Sequence, residues 1–274
     1  VKRLHLPEIA DVSWCPTAIR HGVADYTRFV TEKSGAYHPI APMLAKALQS
    51  TGARQVVDLG SGSAGPWLGL LPQLRDLGVD VNVCLSDYLP DVEALERARQ
   101  RCPESFTYFA DSVDAAQVPL ALRGFRTMFS AFHHLHPNHA RAVLADAVTS
   151  GEGIAIFECG NRRLLTLLLA ALTTAPRALL TVPFIHPFRW PRLFWTYPFP
   201  ILPVVLAWDV TVSCLRIYSE PELHALTVGL SKYDWDIGTL QAQKIPIVVT
   251  YLVGVPRKSD VRSNVTLEIE SGRA

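Results

Sequence analysis

The sequence predicts an α/β fold, a mostly parallel seven-stranded sheet with helices on both faces, and three observations carry that expectation. From Gln55 onward, short apolar runs alternate with amphipathic stretches. This is the pattern of βαβ units, because parallel neighbours need a crossover. The first run, QVVDL, leads into a glycine cluster, Gly60, Gly62 and Gly65, where such a unit turns from strand to helix. Near the end, two apolar runs stand only a few polar residues apart, a spacing that fits a hairpin and hence an antiparallel C-terminal strand pair.

Taken in order, residues 1–53 read as an N-terminal helical cap, with helix-like spacing from Ala18 to Thr31 and from Ala41 to Gln49. The loop SGAYHP, Ser34 to Pro39, separates the two. Residues 54–160 carry the strands QVVDL, VNVCLS, FTYFA, FRTMFSA and GIAIFE, with helices from Trp67 to Leu77, Asp91 to Arg101 and Asn138 to Thr149. Residues 161–216 form an apolar insertion. Residues 217–257 hold a last helix, opened by the capping box Ser219-Glu220-Pro221-Glu222 and running through Leu230, and then the pair YDWDIGTLQ and PIVVTYLVGVP. Residues 1–257 are thus expected to form one domain, followed by a polar, disordered tail over 258–274.

Composition narrows the partners. The 26 lysines and arginines nearly balance 25 aspartates and glutamates, so no net field draws nucleic acid, which is not an expected partner. The five cysteines, Cys15, Cys84, Cys102, Cys159 and Cys214, are widely spaced and never form CxxC. That argues against a disulfide framework or zinc ribbon and for a reducing cytoplasm. VKRLHLPEIADVSW has neither the apolar core nor the cleavage site of a signal peptide, so the Asn264-Val265-Thr266 sequon reads as chance.

Gly60, Gly62 and Gly65, with Ser61 between the first two, satisfy GxGxxG, which says little alone. Its context says more: a strand precedes it, a helix follows, and a second strand ends in Asp87, where nucleotide-binding sheets place an acid on the ribose hydroxyls. A nucleoside-containing ligand is expected. Asp58 narrows the choice, because a carboxylate just inside the strand end disfavours the pyrophosphate of a dinucleotide. S-adenosylmethionine has no phosphate and carries a sulfonium and an ammonium, which Asp58 can hold directly or through water. No lysine follows the glycines, which excludes a P-loop.

On these residues the sequence resembles the class I S-adenosylmethionine-dependent methyltransferases, whose first motif is an acid followed by GxGxG. Here Ala64 stands at the third glycine, with Gly65 next. The resemblance runs from Gln55 to about Pro256 and implies a Rossmann-like sheet with S-adenosyl-L-methionine as cofactor. It further implies Asp87 and Tyr88 at the ribose, Asp111 and Ser112 at the adenine amino group, and Phe132-His133-His134-Leu135 beside the transferable methyl. Asp87 and Asp111 could also simply cap the turns that follow them.

Methyl transfer needs position, a dry cavity and, where the acceptor must lose a proton, a base. His133 and His134 are the candidate catalytic residues, His133 first, since imidazole titrates near neutrality and their loop opens at the carboxyl end of the sheet. Equally, one could bond a backbone carbonyl while the other faces solvent. His133, His134, His136 and His139 are not expected to bind metal, because Pro137 breaks their geometry and no nearby cysteine or acid completes a set.

Leu164 to Trp208 is the least ordinary stretch. Leu164 to Phe184 approaches the about 20 apolar residues of a membrane span, but Pro176 and Arg177 interrupt it. Pro183, Pro187, Pro191, Pro198, Pro200 and Pro203 predict short helices and turns thereafter. The resemblance implies a lid, with Trp190, Trp195, Tyr197 and Trp208 lining the substrate pocket and Arg189 or Arg192 reaching a polar group. A packing subdomain, a homodimer contact or shallow insertion in a membrane surface without spanning are the alternatives. Tyr37 is placed to touch cofactor or acceptor from the other side, though a surface-loop tyrosine accounts for it as well. The expected function is methyl transfer to a small, fairly apolar acceptor at oxygen or nitrogen. The alternatives are an NAD(P)-dependent oxidoreductase, and a non-catalytic module that uses the apolar segment for a partner or membrane.

Overall fold

In the computed structural model, residues 1–62, 64–241 and 248–257 are described. The tail expected to be disordered and the sequon at Asn264 lie outside them. The strands are β1 (Gln55–Leu59), β2 (Asn82–Ser86), β3 (Phe106–Tyr108), β4 (Phe125–Phe129), β5 (Ile154–Cys159), β6 (Tyr233–Gln241) and β7 (Val248–Pro256). They form one sheet in the order β3-β2-β1-β4-β5-β7-β6. The first five run parallel, and β7 lies antiparallel between β5 and β6. This is a Rossmann-like sheet with the expected antiparallel edge.

The helices are α1 (Thr17–Ser34), α2 (Ala41–Thr51), α3 (Trp67–Asp76), α4 (Val92–Arg101), α5 (Pro137–Ser150), α6 (Leu164–Thr181), α7 (Trp190–Phe194), α8 (Ile201–Arg216) and α9 (Glu220–Thr227). Successive strand residues point to opposite faces, so each face has its own core. Val56 and Val83 join Leu44, Leu48, Leu70 and Leu74 of α2 and α3. Val57 and Leu59 join Val143 and Leu144 of α5 and Leu223 of α9. Covered on both sides, the central strands read as unbroken apolar runs. Local chemistry sets the helix starts: the Asp91 carboxylate accepts from the Ala94 amide at 3.0 Å, and Glu222 accepts from the Ser219 amide at 2.8 Å. α9 stops at Thr227, short of Leu230, because Val228, with ψ 127°, has already left the helical region and enters a turn.

The insertion departs from expectation. Pro176 does not interrupt α6, which runs 18 residues across it, and although Pro183, Pro187 and Pro191 bring the expected short turn and short α7, α8 runs 16 residues with Pro203 inside its first turn. A first-turn proline removes an amide that has no helical partner. Pro176 forfeits an interior bond at about 3 kcal/mol, and packing offsets it: Ala178 and Val182 bury against Leu202, Val205 and Leu206 of α8 and Ile19 and Tyr26 of α1. This third core lies apart from the sheet.

Strand order reverses between β1 and β4, whose neighbours lead away in opposite directions. Ligands of open α/β sheets bind outside the carboxyl ends of the strands at such a switch point. Here those ends are Leu59, entering Gly60, and Phe129, entering Ser130.

Candidate cofactor site at the sheet switch point

The turn after β1 is left-handed at Gly60 (φ +72°), Gly62 (φ +52°) and Ala64 (φ +63°). A Cβ on Gly60 would come within 2.9 Å of the Ala131 Cβ, so the loops after β1 and β4 touch there and only glycine fits. Among the described residues the third left-handed position is Ala64, not Gly65, which matches an acid-GxGxG spacing better than GxGxxG. Ser61 joins β1 to β2: its hydroxyl donates to the Asp58 carbonyl at 2.7 Å and accepts from the Ser86 amide at 3.0 Å.

Asp87 stands at the end of β2 and takes the Gly62 amide on one oxygen and the Leu89 amide on the other, each at 3.0 Å. Its carbonyl accepts from the Val113 amide at 2.9 Å, and the Ser112 hydroxyl donates to the Tyr88 carbonyl at 2.6 Å. Thus the fold brings the glycine turn, Asp87, Tyr88 and the loop carrying exposed Asp111 and Ser112 to one end of the sheet.

Asp58 is buried beside this turn, opposite Thr127 in the β1–β4 register. The Thr127 hydroxyl donates to its carboxylate at 2.6 Å. Among the described residues no cation pairs with it. Burial pushes its carboxyl up to about 6, opposed by the Thr127 hydrogen bond. Tyr37 is not a surface residue. It is buried, its hydroxyl lies 2.6 Å from the Ser130 hydroxyl, and its ring meets Phe129 edge-on at 5.3 Å. Burial holds its phenol well above the usual range, so it stays neutral. Trp67 meets Phe129 from another side at 5.5 Å, and Phe157 stacks on it at 5.4 Å, so an aromatic wall closes the end of β4.

The two histidines differ. Phe132 and His133 are buried in a short 3₁₀ turn after β4. His133 Nδ1 lies 2.6 Å from Glu158, and Nε2 lies 3.4 Å from Glu8. Burial alone would lower its pKa, but the two carboxylates outweigh it and raise it to about 9. At neutral pH His133 is therefore an imidazolium between two acids, with no lone pair free for the base role the sequence assigned it first. His134 is partly exposed, 3.1 Å from Asp11. The N-terminal segment crosses this turn: the Arg3 guanidinium donates to the carbonyls of His133, Leu135 and Arg216. Glu8, His133 and His134 bring potential metal ligands within 4.8 Å of one another. A cation already serves them, since Arg216 donates to Glu8 at 2.9 Å and lies 3.2 Å from His134 Nδ1.

The aromatic residues expected to line a substrate pocket do not converge. Trp190 is 74% exposed. Tyr197 faces outward with its hydroxyl on the Leu179 carbonyl, and Trp208 does so with its indole N–H on the Pro7 carbonyl. Trp195 packs on Phe194 and Phe199. On α8 the core side goes to Leu202, Val205, Leu206 and Val212, which leaves Trp208 on the outer side. Nor do the arginines reach into the site: Arg192 and Arg189 both hold Asp25 of α1, at 2.5 and 3.4 Å. A cavity of about 320 Å³ lies elsewhere, beyond β5, lined in part by Asn161, Arg162, Tyr218, Ser219 and Thr250.

Sequence reasoning missed Thr127, Ser130, Glu8, Glu158 and Arg216. Thr127 and Ser130 stand in a recognisable strand, but only strand register and a left-handed φ of +46° at Ser130 give them their partners. Glu8 meets Arg216 across 208 residues, which no local pattern shows.

No family model matches the chain, and no curated protein matches it. Several solved structures resemble it at low similarity. An O-methyltransferase family protein from Burkholderia thailandensis is 12% identical, with 84% of this chain and 58% of that one covered and a TM-score of 0.46. Human N-acetylserotonin methyltransferase in complex with SAM is 12% identical, covering 85% and 55%, at 0.47. Magnesium protoporphyrin IX methyltransferase from Synechocystis with bound SAH is 13% identical, covering 89% and 88%, at 0.43. The chain spans a little over half the length of the first two.

Proposed function

We propose that this chain transfers a methyl group from S-adenosylmethionine to a small, fairly apolar acceptor at oxygen or nitrogen. Asp58 is the observation that carries the reading. A carboxylate sealed under a glycine turn, with a hydroxyl as its partner and its pKa pushed up to about 6, gains most from a cation arriving beside it. An amino-acid ammonium supplies one, and a diphosphate would be repelled. When bound, the cofactor supplies a methyl carbon already activated by its sulfonium.

The remaining steps belong to protein groups. Asp87 would release the Gly62 amide to a ribose hydroxyl, and Asp111 with Ser112 would meet the adenine amino group beyond it. Tyr37, Phe129 and Trp67 would exclude water where positive charge is lost during transfer. Holding the reactants in line accounts for about 7 to 11 kcal/mol in well-oriented systems. His133, already protonated, would fix the turn after β4 by binding Glu158 and Glu8. His134, partly exposed, is the remaining candidate base. A reducing cytoplasm fits cysteines that form no disulfide.

Calorimetric titration with S-adenosylhomocysteine and with NADH tests the reading. Binding of the first with little of the second is expected; tight NADH binding and none of S-adenosylhomocysteine overturns it in favour of an oxidoreductase.

A further inference from the structure

The outer face of the insertion is far more apolar than a solvated surface needs to be. Along α6 and the turn after it, Leu164, Leu165, Leu172, Leu180 and Phe184 are each at least 65% exposed, and α7 and α8 add Trp190 at 74% and Val204 at 63%. Scattered exposed apolar residues are ordinary, but a contiguous set marks a contact surface. Leu164–Phe184 is long and apolar enough to cross a bilayer, with a mean hydropathy of 1.6, and only 17% of that window is buried.

Position around the helix axis shows how such a surface would be used. At about 100° per residue, Leu164, Leu165, Leu168, Leu169, Leu172 and Leu180 share one outward arc about 160° wide. Thr174 and Ala178, the buried residues of α6, lie outside that arc on the core-facing side. Arg177, exposed, falls between the two sides, and Arg163, also exposed, stands at the N-terminal end of the helix. Neither forms an ion pair among the described residues. A helix that keeps one side on its own protein and carries its cations at its end and beside its apolar stripe is built to lie in an interface rather than cross it.

Charge selects the occupant. From Cys159 to Trp208 there is no aspartate, glutamate or lysine; there are five arginines and three of the chain's six tryptophans. Three of those arginines are engaged internally, Arg162 with Glu222 and Arg189 and Arg192 with Asp25. Arg163 and Arg177 remain for an outside anion. A second copy on a two-fold axis would bring this acid-free, arginine-edged face against itself. A bilayer bearing anionic headgroups offers hydrocarbon for the leucines, the headgroup level for the tryptophans and phosphates for the arginines.

We infer that the outer face of α6, α7 and α8 docks in the plane of an anionic lipid bilayer. The inference does not depend on the methyl-transfer reading. Flotation of the full chain with phosphatidylcholine vesicles, with and without phosphatidylglycerol, tests it. Binding to the phosphatidylglycerol vesicles is expected, weakened about fivefold for each of Arg163→Ala and Arg177→Ala. The triple substitution Leu165→Glu, Leu172→Glu, Leu180→Glu, at outward positions, should abolish it while thermal unfolding stays unchanged. Quenching of Trp190 by brominated lipid, read against Trp190→Phe, supplies a measurement that needs no core change. Failure of the wild-type chain to float with either vesicle overturns the inference, as does flotation indifferent to the triple substitution. A stable dimer that keeps Trp190 unquenched in the presence of vesicles overturns it too.

Discussion

The glycine-turn end of the sheet and the apolar insertion solve opposite problems with opposite chemistry. At the sheet end, polar groups are drawn inward: Asp58, Ser61, Ser86 and Thr127 are all buried and bonded to one another or to backbone. In the insertion, apolar groups are turned outward, and the polar anchors, such as Arg192 on Asp25 and Asp209 on the Ile9 and Ala10 amides, lie on the side that faces α1 and the N-terminal segment. The difference teaches where each region's unmet demand lies. A buried carboxylate without a cation asks for a small charged ligand, whereas an exposed leucine arc asks for an apolar surface.

The largest effect is expected from Asp58→Asn, which keeps the bond from Thr127 and removes the charge. A charge-assisted contact is worth about 1.5–3 kcal/mol, so S-adenosylhomocysteine affinity should fall about 10- to 100-fold in calorimetry. Because burial already disfavours the ionised acid, thermal stability at pH 7 should hold or rise. The same sign governs pH: the raised pKa means the site takes up a proton as pH falls through about 6, so ligand affinity should weaken there and be restored above it. Unchanged affinity in the variant would remove the electrostatic basis of the proposed function.

A smaller effect concerns the strap between the two regions. The His133 pKa is raised from 6.5 to about 9, so its contribution to stability is complete below 6.5 and is lost as pH rises through about 9. Loss of that charge loosens Glu8 and, through it, the segment whose Ile9 and Ala10 amides donate to Asp209. Hydrogen exchange at those two amides should quicken across that window, beyond the intrinsic rise with pH, and much less in a His133→Gln chain. Least of all, Leu172→Ser on the outer face of α6 should move unfolding stability by no more than about 0.5 kcal/mol, as expected for an exposed position. A large loss would show that the leucine arc is covered within the protein.

Much of the sheet was legible beforehand because its signals are local. QVVDL before glycines, Asp87 closing the next strand, and the Ser219 capping box each depend on neighbours within a few residues. The insertion was misread for the same reason. Proline is a local breaker, and only packing of Ala178 and Val182 on α8 and α1 shows why α6 continues across Pro176. His133 looked like a base because imidazole titrates near neutrality and its loop opens at the carboxyl end of the sheet, while the acids that hold its proton arrive from Glu8 and Glu158.

The amino-acid order alone determined the alternation of strands and helices, the left-handed turn after β1 and the acids around it, since short-range sterics and hydrogen bonding suffice for these. Tertiary structure alone decided that Asp58 is sealed against Thr127, that His133 carries a proton, and that Trp190 and Trp208 of the insertion face outward. Burial and charge pairing depend on which distant segments come to lie together, and strand register and helix packing set that only once the whole chain has folded.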